Sequence, residues 1–596
     1  MSAAPPAPAR PPQPDGHGLS PVGATMRPMP EWRLAASDPV RVAELARAAG
    51  VSPILAGLLL RRGVCDGGEA RAFLAPEASG LHDPSLLLGS EAAADLLVST
   101  ARRGKRVVVF GDYDVDGVTA VAQLRAALFR VGADAVAFIP HRLRDGYGLK
   151  PDTVRRVLAE HDPATIVTVD CGITAIEGVA CAREAGVEVI VTDHHLVPAE
   201  LPAGAIVVNP KQPGCPYPYK ELAASAIAMK IAQAVARRAG VSLSSESLLR
   251  AACLGTIADL VPLEGENRVI AALGLAALAS ARAPGLRALL AEAGLPRDAA
   301  PSSEDVAFRI GPRLNAAGRI DTAHLALSLF ESRDPVEAET IARDLSSRNA
   351  ERQGLERRVV AEARARVEES GSGRDGAVII EADAGWHRGV LGIAASRLAR
   401  EYHRPVLLFG LEGNRATGSG RSIPGVSLHG ILQELADDFL EFGGHEQAAG
   451  ATLAADRFDA FRLRARSVFS LRVPAEALLR TSEAEAELPI EEATPGVARE
   501  LARLEPHGQG NPRPVLLARG VRAAGPSTPV GASGLRGRLR SPRGDVRCIA
   551  WQPEAGLEGL FAAGRPFDLQ YRLADDGRGY GLQVEIVSAR PGGAGA

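Results

Sequence analysis

Potential chemistry in this chain is concentrated where apolar, β-rich runs stop: GDYDVDG (residues 111–117), VTVDCG (167–172), VTDHH (191–195) and GTIADLVP (255–262). In the first motif Asp112, Asp114 and Asp116 fall within five residues. Left bare at a strand end, such carboxylates repel one another, and burial makes each isolated charge costlier still. Divalent cations remove that cost. Adding Asp170, Asp259 and the neutral imidazole of His194 gives five carboxylates, formally −5, against +4 from two divalent ions. Hard oxygen ligands with one imidazole suit Mn²⁺ first, or Mg²⁺, better than zinc. Two such ions about 3.5 to 4 Å apart stabilise both the attacking and leaving oxygens of a phosphoryl displacement. The chemistry expected is hydrolysis of a phosphoester or phosphoanhydride. Taken singly, each piece has a plainer reading: a DxD is commonly a solvated turn, Asp170 a strand-end cap, the His194–His195 pair a surface pair, and Asp259 a helix cap. The argument rests on their joint placement.

The elements that must position them follow from periodicity. Strand-like runs (RVVVF, AVAFIP, TIVTVD, VEVIVTD, AIVVN) alternate with amphipathic helical stretches such as 118–131 and 175–185. That alternation predicts an α/β fold with a doubly wound parallel sheet. Ligands of such sheets bind beyond the carboxyl ends of the strands. Asp112, Asp170 and Asp193 each directly follow an apolar run, so one pocket collects them. The chain divides into a disordered tail (1–30), a helical amino-terminal segment (31–96), the catalytic domain (97–300), a helical linker (301–372), a second α/β domain (373–474) and a β-rich domain (475–590). No internal repeat is found.

Composition sets wider bounds. At 596 residues the chain exceeds the ~250 to 300 residues at which single cores stop growing. A hydrophobic content of 46% and a charged content of 23% are those of an ordinary globular protein. A net charge of −3 gives no global nucleic-acid signal, so any polyanion surface must come from local segregation of charge. Between Arg503 and Arg547 that segregation is found: nine arginines stand against Glu505 and Asp545. Six scattered cysteines without a CxxC pair, no signal-peptide pattern and no apolar run of about 18 residues lead us to expect a cytoplasmic protein, neither exported nor membrane-spanning.

At the level of motifs the chain resembles the DHH phosphoesterases: GDYDVDG, VTVDCGI, VTDHH and GTIADLVPL match their four signatures in order. GSGRSIPG with FGGHEQAAG is similar to the associated DHHA1 domain. PHRLRDGYGL, GPRLNAAGRI, GWHRGVLGIAASRL and LEPHGQGNPRP narrow the resemblance to the RecJ family of single-strand-specific 5′ to 3′ exonucleases, over about residues 31–588. The resemblance implies an α/β DHH domain, a DHHA1 domain reached by a helical linker and an OB-like nucleic-acid-binding domain. It implies metal ligation by Asp112, Asp114, Asp116, Asp170, His194 and Asp259, with Asp170 bridging two cations, and places His195 beside the scissile phosphate as contact or proton donor. Arg142, Tyr147, Arg313 and Asn315 would contact the nucleotide or backbone, and Ser419, Arg421, Gly444 and His445 would hold phosphates from the opposite lobe. The structural alternative for Arg313 and Arg319 is an ion pair between the lobes. For Trp386 and His387, packing is as good a reading as substrate contact.

Two departures stand out. Ser225 and Ile227 in LAASAIAMK replace small residues, with no expected effect on the ligands, and His507 stands where an aromatic residue is common. All expected ligands are in place. The function implied is degradation of single-stranded DNA to mononucleotides in repair and recombination. The alternatives weighed are a DHH enzyme acting on short oligoribonucleotides or cyclic dinucleotides, and a non-catalytic DNA-binding replication factor. Single-stranded DNA is the expected partner; a single-strand-binding protein, a RecQ-type helicase, a monomeric state and association with the nucleoid are implied by the resemblance alone.

Overall fold

The structure is a computed structural model that describes residues 30–141, 144–146, 148–320, 322–531, 534–554, 556–575 and 581–592. Arg142, Tyr147 and the expected tail over residues 1–29 lie outside the described residues.

The amino-terminal half is built on β2 (Arg106–Gly111), β3 (Asp134–Phe138), β4 (Thr165–Val169), β5 (Glu188–Thr192) and β6 (Ala205–Val208), which follow a short β1 (Glu31–Leu34). The five strands β2 to β6 pair in the order β3-β2-β4-β5-β6, all parallel, as expected. Strands buried on both faces read as unbroken β-branched runs because both sets of alternating side chains need apolar partners. Here Val107 and Val109 enter one core, together with Val167, Val169 and Ile190. Val108 and Phe110 enter the other, with Ile166, Val189 and Val191. The helices divide accordingly. After α1 (Pro39–Ala49), α2 (Pro53–Arg61) and α3 (Gly67–Leu74), α4 (Ser90–Arg102) and α5 (Val115–Arg130) cover the first face, and α6 (Pro151–His161) and α7 (Ile176–Glu184) the second. From β2 the chain moves outward to β3, then returns across β2 to β4. The carboxyl ends of β2 and β4 therefore flank a topological switch point, the usual place for a ligand crevice.

Four further helices, α8 (Ala224–Ala239), α9 (Ser245–Ala258), α10 (Gly265–Ala279) and α11 (Pro284–Glu292), thicken the first face. They are followed by α12 (Ser303–Asp305), a π-helical turn (Val306–Ile310), α13 (Gly311–Ile320), α14 (His324–Glu331) and the 36-residue α15 (Pro335–Ser370). At 1.5 Å per residue α15 is ~54 Å long. Its first part (Ala338, Ala342, Leu345) packs into the core of the first domain, and its last part (Val359, Val360, Ala363, Val367) into the next. The expected linker is thus half core at either end. Beyond α16 (Ser372–Asp375), α17 (Arg388–Tyr402) packs on a five-stranded mixed sheet ordered β10-β11-β9-β8-β7. Its strands are β7 (Ile379–Asp383), β8 (Val406–Glu412), β9 (Arg415–Arg421), β10 (Glu441–His445) and β11 (Ala448–Ala454).

The carboxy-terminal lobe is β-rich: β12 (Thr481–Ala484), β13 (Ala486–Glu487), β14 (Leu516–Val521), β15 (Thr528–Val530), β16 (Gly534–Leu539), β17 (Val546–Ala550), β18 (Phe567–Asp575) and β19 (Leu582–Pro591). The two ends of the chain are joined. β1 pairs in parallel with β12, and α1 to α3 share one hydrophobic core with the carboxy-terminal sheet. Arg268 of α10 locks this unit to the first domain: its guanidinium donates to the carbonyls of Phe73, Arg503, Leu504, Glu505 and Pro506. His507, in the same loop, is driven down to about 3 by burial and by Arg62, Arg513 and Arg268, so its ring is neutral. Among the described residues no single helix is long and apolar enough to cross a membrane.

Candidate metal centre

The first acidic motif forms the bend from β2 into α5. Asp114 is the N-cap of α5, accepting the N–H of Gly117 at 3.1 Å. Asp116 lies in the first turn with 1% exposure, and its two oxygens accept the N–H groups of Ala224 (2.7 Å) and Ser225 (2.8 Å) at the start of α8. A helix N-terminus stabilises an anion. Burial and the neighbouring Asp114 nonetheless push the Asp116 carboxyl up to about 6. Ser225 therefore does reach the ligand cluster through its backbone, contrary to the sequence expectation. Its hydroxyl donates to the carbonyl of Ala252. Room for it comes from Gly255 on α9, where any Cβ would collide with Ser225 Oγ and Asp116 Oδ1.

The remaining acids come from β4, β5 and α9. Asp170, directly after β4, adopts the left-handed conformation (φ 64°), which costs on the order of 1 kcal/mol in a non-glycine residue. Asp259 is the C-cap of α9. Between them stands His194: its Nε2 is 3.2 Å from Asp170 Oδ1 and 3.6 Å from Asp259 Oδ2. Ligand atoms lie within 4.8 Å of one another in three overlapping trios: Asp112–Asp114–Asp170, Asp116–His194–Asp259 and Asp170–His194–His195. All six residues expected as metal ligands are thus brought together.

The electrostatics fit a cation. His194 Nε2 is buried and satisfies no hydrogen bond, and burial together with His195 takes the ring down to about 3, so the ring is neutral with Nε2 facing two carboxyl groups. Burial, then Asp116 and Asp114, push Asp259 up to about 9. Burial and four neighbouring aspartates hold Asp170 well above the ordinary carboxylate range. A crowded, buried set of acids around an unpartnered imidazole nitrogen satisfies itself by binding divalent metal or by taking up protons.

Asp193 has a role the sequence reading did not assign. It is 1% exposed and accepts the N–H groups of Ile173 (3.0 Å), His194 (2.8 Å) and His195 (3.1 Å), with His195 Nδ1 at 2.7 Å. It belongs to none of the ligand trios and instead orients the second histidine. Burial alone would lower the pKa of His195, but the bond to Asp193 and the charges of Asp112 and Asp116 raise it above its ordinary value. The signal in the sequence was the acid between the strand and the two histidines.

Other expected contacts are placed as follows. Asn315 Oδ1 accepts the N–H of Val115, so it braces the first acidic motif. Arg313 donates to Ser346 Oγ (3.1 Å) and to the carbonyls of Arg309 (2.6 Å) and Glu292 (3.0 Å), tying α13 to α15 and α11. On the second sheet, Ser419 and Arg421 share one face of β9, and Arg421 donates to Ser419 Oγ at 3.2 Å. Ala448 pairs with both Arg421 and His445, so those two occupy one row across the sheet. Gly444 sits beside His445 at φ 146°. Gly392 of α17 faces this pair, and a Cβ there would lie 2.9 Å from the Arg421 guanidinium and 3.0 Å from Ser419 Oγ. Trp386 is packed, 3% exposed, and donates to Glu362; His387 caps α17.

Comparison with known proteins agrees with this architecture. The DHH family N-terminal domain matches residues 106–256, the DHHA1 domain 375–471 and the RecJ OB domain 484–577. The chain is 35% identical over 538 residues to the single-stranded-DNA-specific exonuclease RecJ of Bacillus subtilis, covering 90% of this chain and 67% of that one. With the protein of the same name from Dickeya dadantii it shares 36% identity over 78% of this chain and 83% of that one. The solved structure of RecJ from Thermus thermophilus in complex with Mn²⁺ superposes with a TM-score of 0.81 at 32% identity, covering 95% of this chain and 80% of that one.

Proposed function

Because the chain belongs to the RecJ family, we propose that it is a metal-dependent exonuclease that degrades single-stranded DNA from the 5′ end to mononucleotides in repair and recombination. The observation that carries this reading is the six-residue ligand set, with the unpartnered His194 Nε2 at its centre, lying at the switch point of a fold whose relatives are single-strand exonucleases. Asp112, Asp114, Asp116, Asp170, His194 and Asp259 would hold two divalent cations, Mn²⁺ or Mg²⁺, the ions of the Thermus RecJ structures. Bound there, the ions would acidify water and neutralise phosphate charge.

The chain's own groups have distinct tasks. Asp170, in its left-handed turn, belongs to the trio with Asp112 and Asp114 and to the trio with His194 and His195, the placement that a bridging ligand would need. His195, with its Nδ1 directed to Asp193, would present Nε2 to the scissile phosphate as a contact or as a proton donor. Arg421, Ser419, Gly444 and His445 hold phosphates from the second lobe, Arg421 by a charge-assisted bond. Asn315 keeps α13 against the first acidic motif, Arg313 ties α13 to α15 and α11, and the resemblance adds Arg142 and Tyr147 as contacts near the scissile nucleotide. Single-strand preference arises if the cleft between the lobes admits one strand only. The finer expectations of a monomer, of nucleoid association, and of a single-strand-binding protein and RecQ-type helicase as partners belong to the same proposal.

Digestion of single-stranded DNA, duplex DNA and short RNA with Mn²⁺, labelled at either end, tests it. Early release of a 5′ label from single strands is expected. Early release from the 3′ end, or equal attack on blunt duplex, would contradict the assignment.

A further inference from the structure

The centre of the LEPHGQGNPRP motif folds into a tight turn in which Gly508 and Asn511 exchange both backbone hydrogen bonds, at 2.9 and 3.2 Å. Asn511 is fully buried and fixes the turn from within. Its Nδ2 donates to the carbonyls of Leu504 and Pro506, and its Oδ1 accepts from Arg62. The turn leads into the carboxy-terminal sheet, yet its tip reaches the catalytic domain, where the carbonyl of Gln509 accepts the N–H of Leu263 at 2.7 Å. The flanking glycines permit that approach. A Cβ on Gly508 would lie 2.6 Å from Leu263 Cδ1, and one on Gly510 2.6 Å from Glu264 Oε1.

Leu263 comes four residues after the ligand Asp259, and the chain between them is strained. Leu260 takes the left-handed conformation (φ 63°), which bulky residues rarely adopt, and its side chain is 66% exposed, so its own burial does not hold it there. Such a conformation persists only where the surroundings over-determine it. Here the carbonyl of Pro262 accepts from Asn267 Nδ2 (3.0 Å) and from the Tyr219 hydroxyl (3.3 Å), and the next N–H is taken by Gln509. The exit from α9, whose C-cap is Asp259, is thus pinned by the catalytic domain at one residue and by the carboxy-terminal lobe at the next.

We infer that the Gly508–Gly510 turn positions Asp259: by holding Leu263 it maintains the strained bend at Leu260 and so keeps the Asp259 carboxylate beside His194. This rests on the metal reading above and gives the carboxy-terminal lobe a part in completing the metal centre. Asp259 shares its trio with Asp116 and His194, whereas Asp112 and Asp114 belong to another, so the effect should fall on one of the two ions.

The test is titration of chelator-treated full-length protein with Mn²⁺ in the absence of DNA, free ion being read from its paramagnetic resonance signal. Gly508→Ala should weaken one of two bound ions by about tenfold, as loss of support behind a ligand does, and leave the other unchanged. A second variant carries the α-hydroxy acid of leucine at position 263, which exchanges the N–H for an ester oxygen and deletes only the bond to Gln509; it should show the same selective loss. Ser303→Ala removes a different contact of this loop, the bond from Ser303 Oγ to the His507 carbonyl, and should leave both ions as in wild type. Thermal melting checks that each variant is folded, and the ester decides the matter if Gly508→Ala is not. If the folded ester variant binds both ions as wild type does, or loses both equally, the positioning role is wrong while the nuclease reading stands. If wild type binds no Mn²⁺, both fall.

Discussion

The metal centre and the carboxy-terminal lobe both concentrate charge of one sign, and they handle it in opposite ways. At the centre five aspartates are crowded with few cationic partners, and burial with the neighbouring acids pushes the pKa values of Asp116, Asp170 and Asp259 up. In the carboxy-terminal lobe much of the arginine excess is already engaged. Arg513 pairs with Glu585 at 2.9 Å, Arg519 with Glu487 at 3.3 Å, and Arg522 donates to the carbonyl of Gly564. Among the described aromatic residues of this lobe, Phe561, Phe567 and Tyr571 are core residues, while Trp551 is 56% exposed. Trp551 lines a cavity of about 710 Å³ together with Arg536, Arg538 and Arg547. On the proposed function, unrelieved like charge would mark where chemistry is done, and charge shared out among partners a surface that would hold a strand with a few residues. On this view, changes at the centre act on turnover, and changes in the later lobes act on binding.

The largest effect should come from Asp170→Ala. It should lower turnover by at least ~10³-fold, and thermal melting should show the fold intact but no longer stabilised by added Mn²⁺. Metal-dependent cleavage by this variant would break the comparison outright. Next, Asp193→Asn should cost about 10- to 100-fold in kcat with little change in KM. Because Asp193 raises the pKa of His195, its loss lowers that pKa, and the alkaline limb of the pH–rate profile should move to lower pH. Arg421→Ala should act mainly on KM, about tenfold, and should reduce the salt slope of DNA binding by ~1. Trp551→Ala should weaken binding by about 1 to 3 kcal/mol and leave kcat at saturation unchanged; a fall in kcat would show that the two regions are not separable. The smallest signal is a proton count. Asp259, at about 9 without metal, is protonated at neutral pH and must lose its proton on ligation, so adding Mn²⁺ to chelator-treated protein at pH 7 should release protons and acidify a weakly buffered indicator solution. Above pH 9 that release should diminish.

Legibility in the sequence differed along the chain for physical reasons. The ligand acids were legible because a carboxylate directly after an apolar run has a local signature, and the alternating runs predicted the parallel sheet that gathers them. Ser225 was misjudged because its contact with Asp116 is made by a backbone N–H, which no side-chain pattern records. Asp193 was seen but given no task, since an orienting acid and a ligand look alike until distances separate them. The partition of residues 31–96, with α1 to α3 joining the carboxy-terminal core and α4 joining the first domain, was invisible because it depends on contacts hundreds of residues apart.

By itself the sequence determined the class of chemistry and the kind of fold: acid and imidazole types specify the metal, and periodicities of two and 3.6 specify strand and helix. Tertiary structure alone decided which acids stand within a few ångströms of one another, which histidine is held by Asp193 and which lies between two carboxyl groups, and which arginines are already engaged. Those outcomes turn on separations of a few ångströms between segments far apart in the chain, and side-chain identity does not encode such distances.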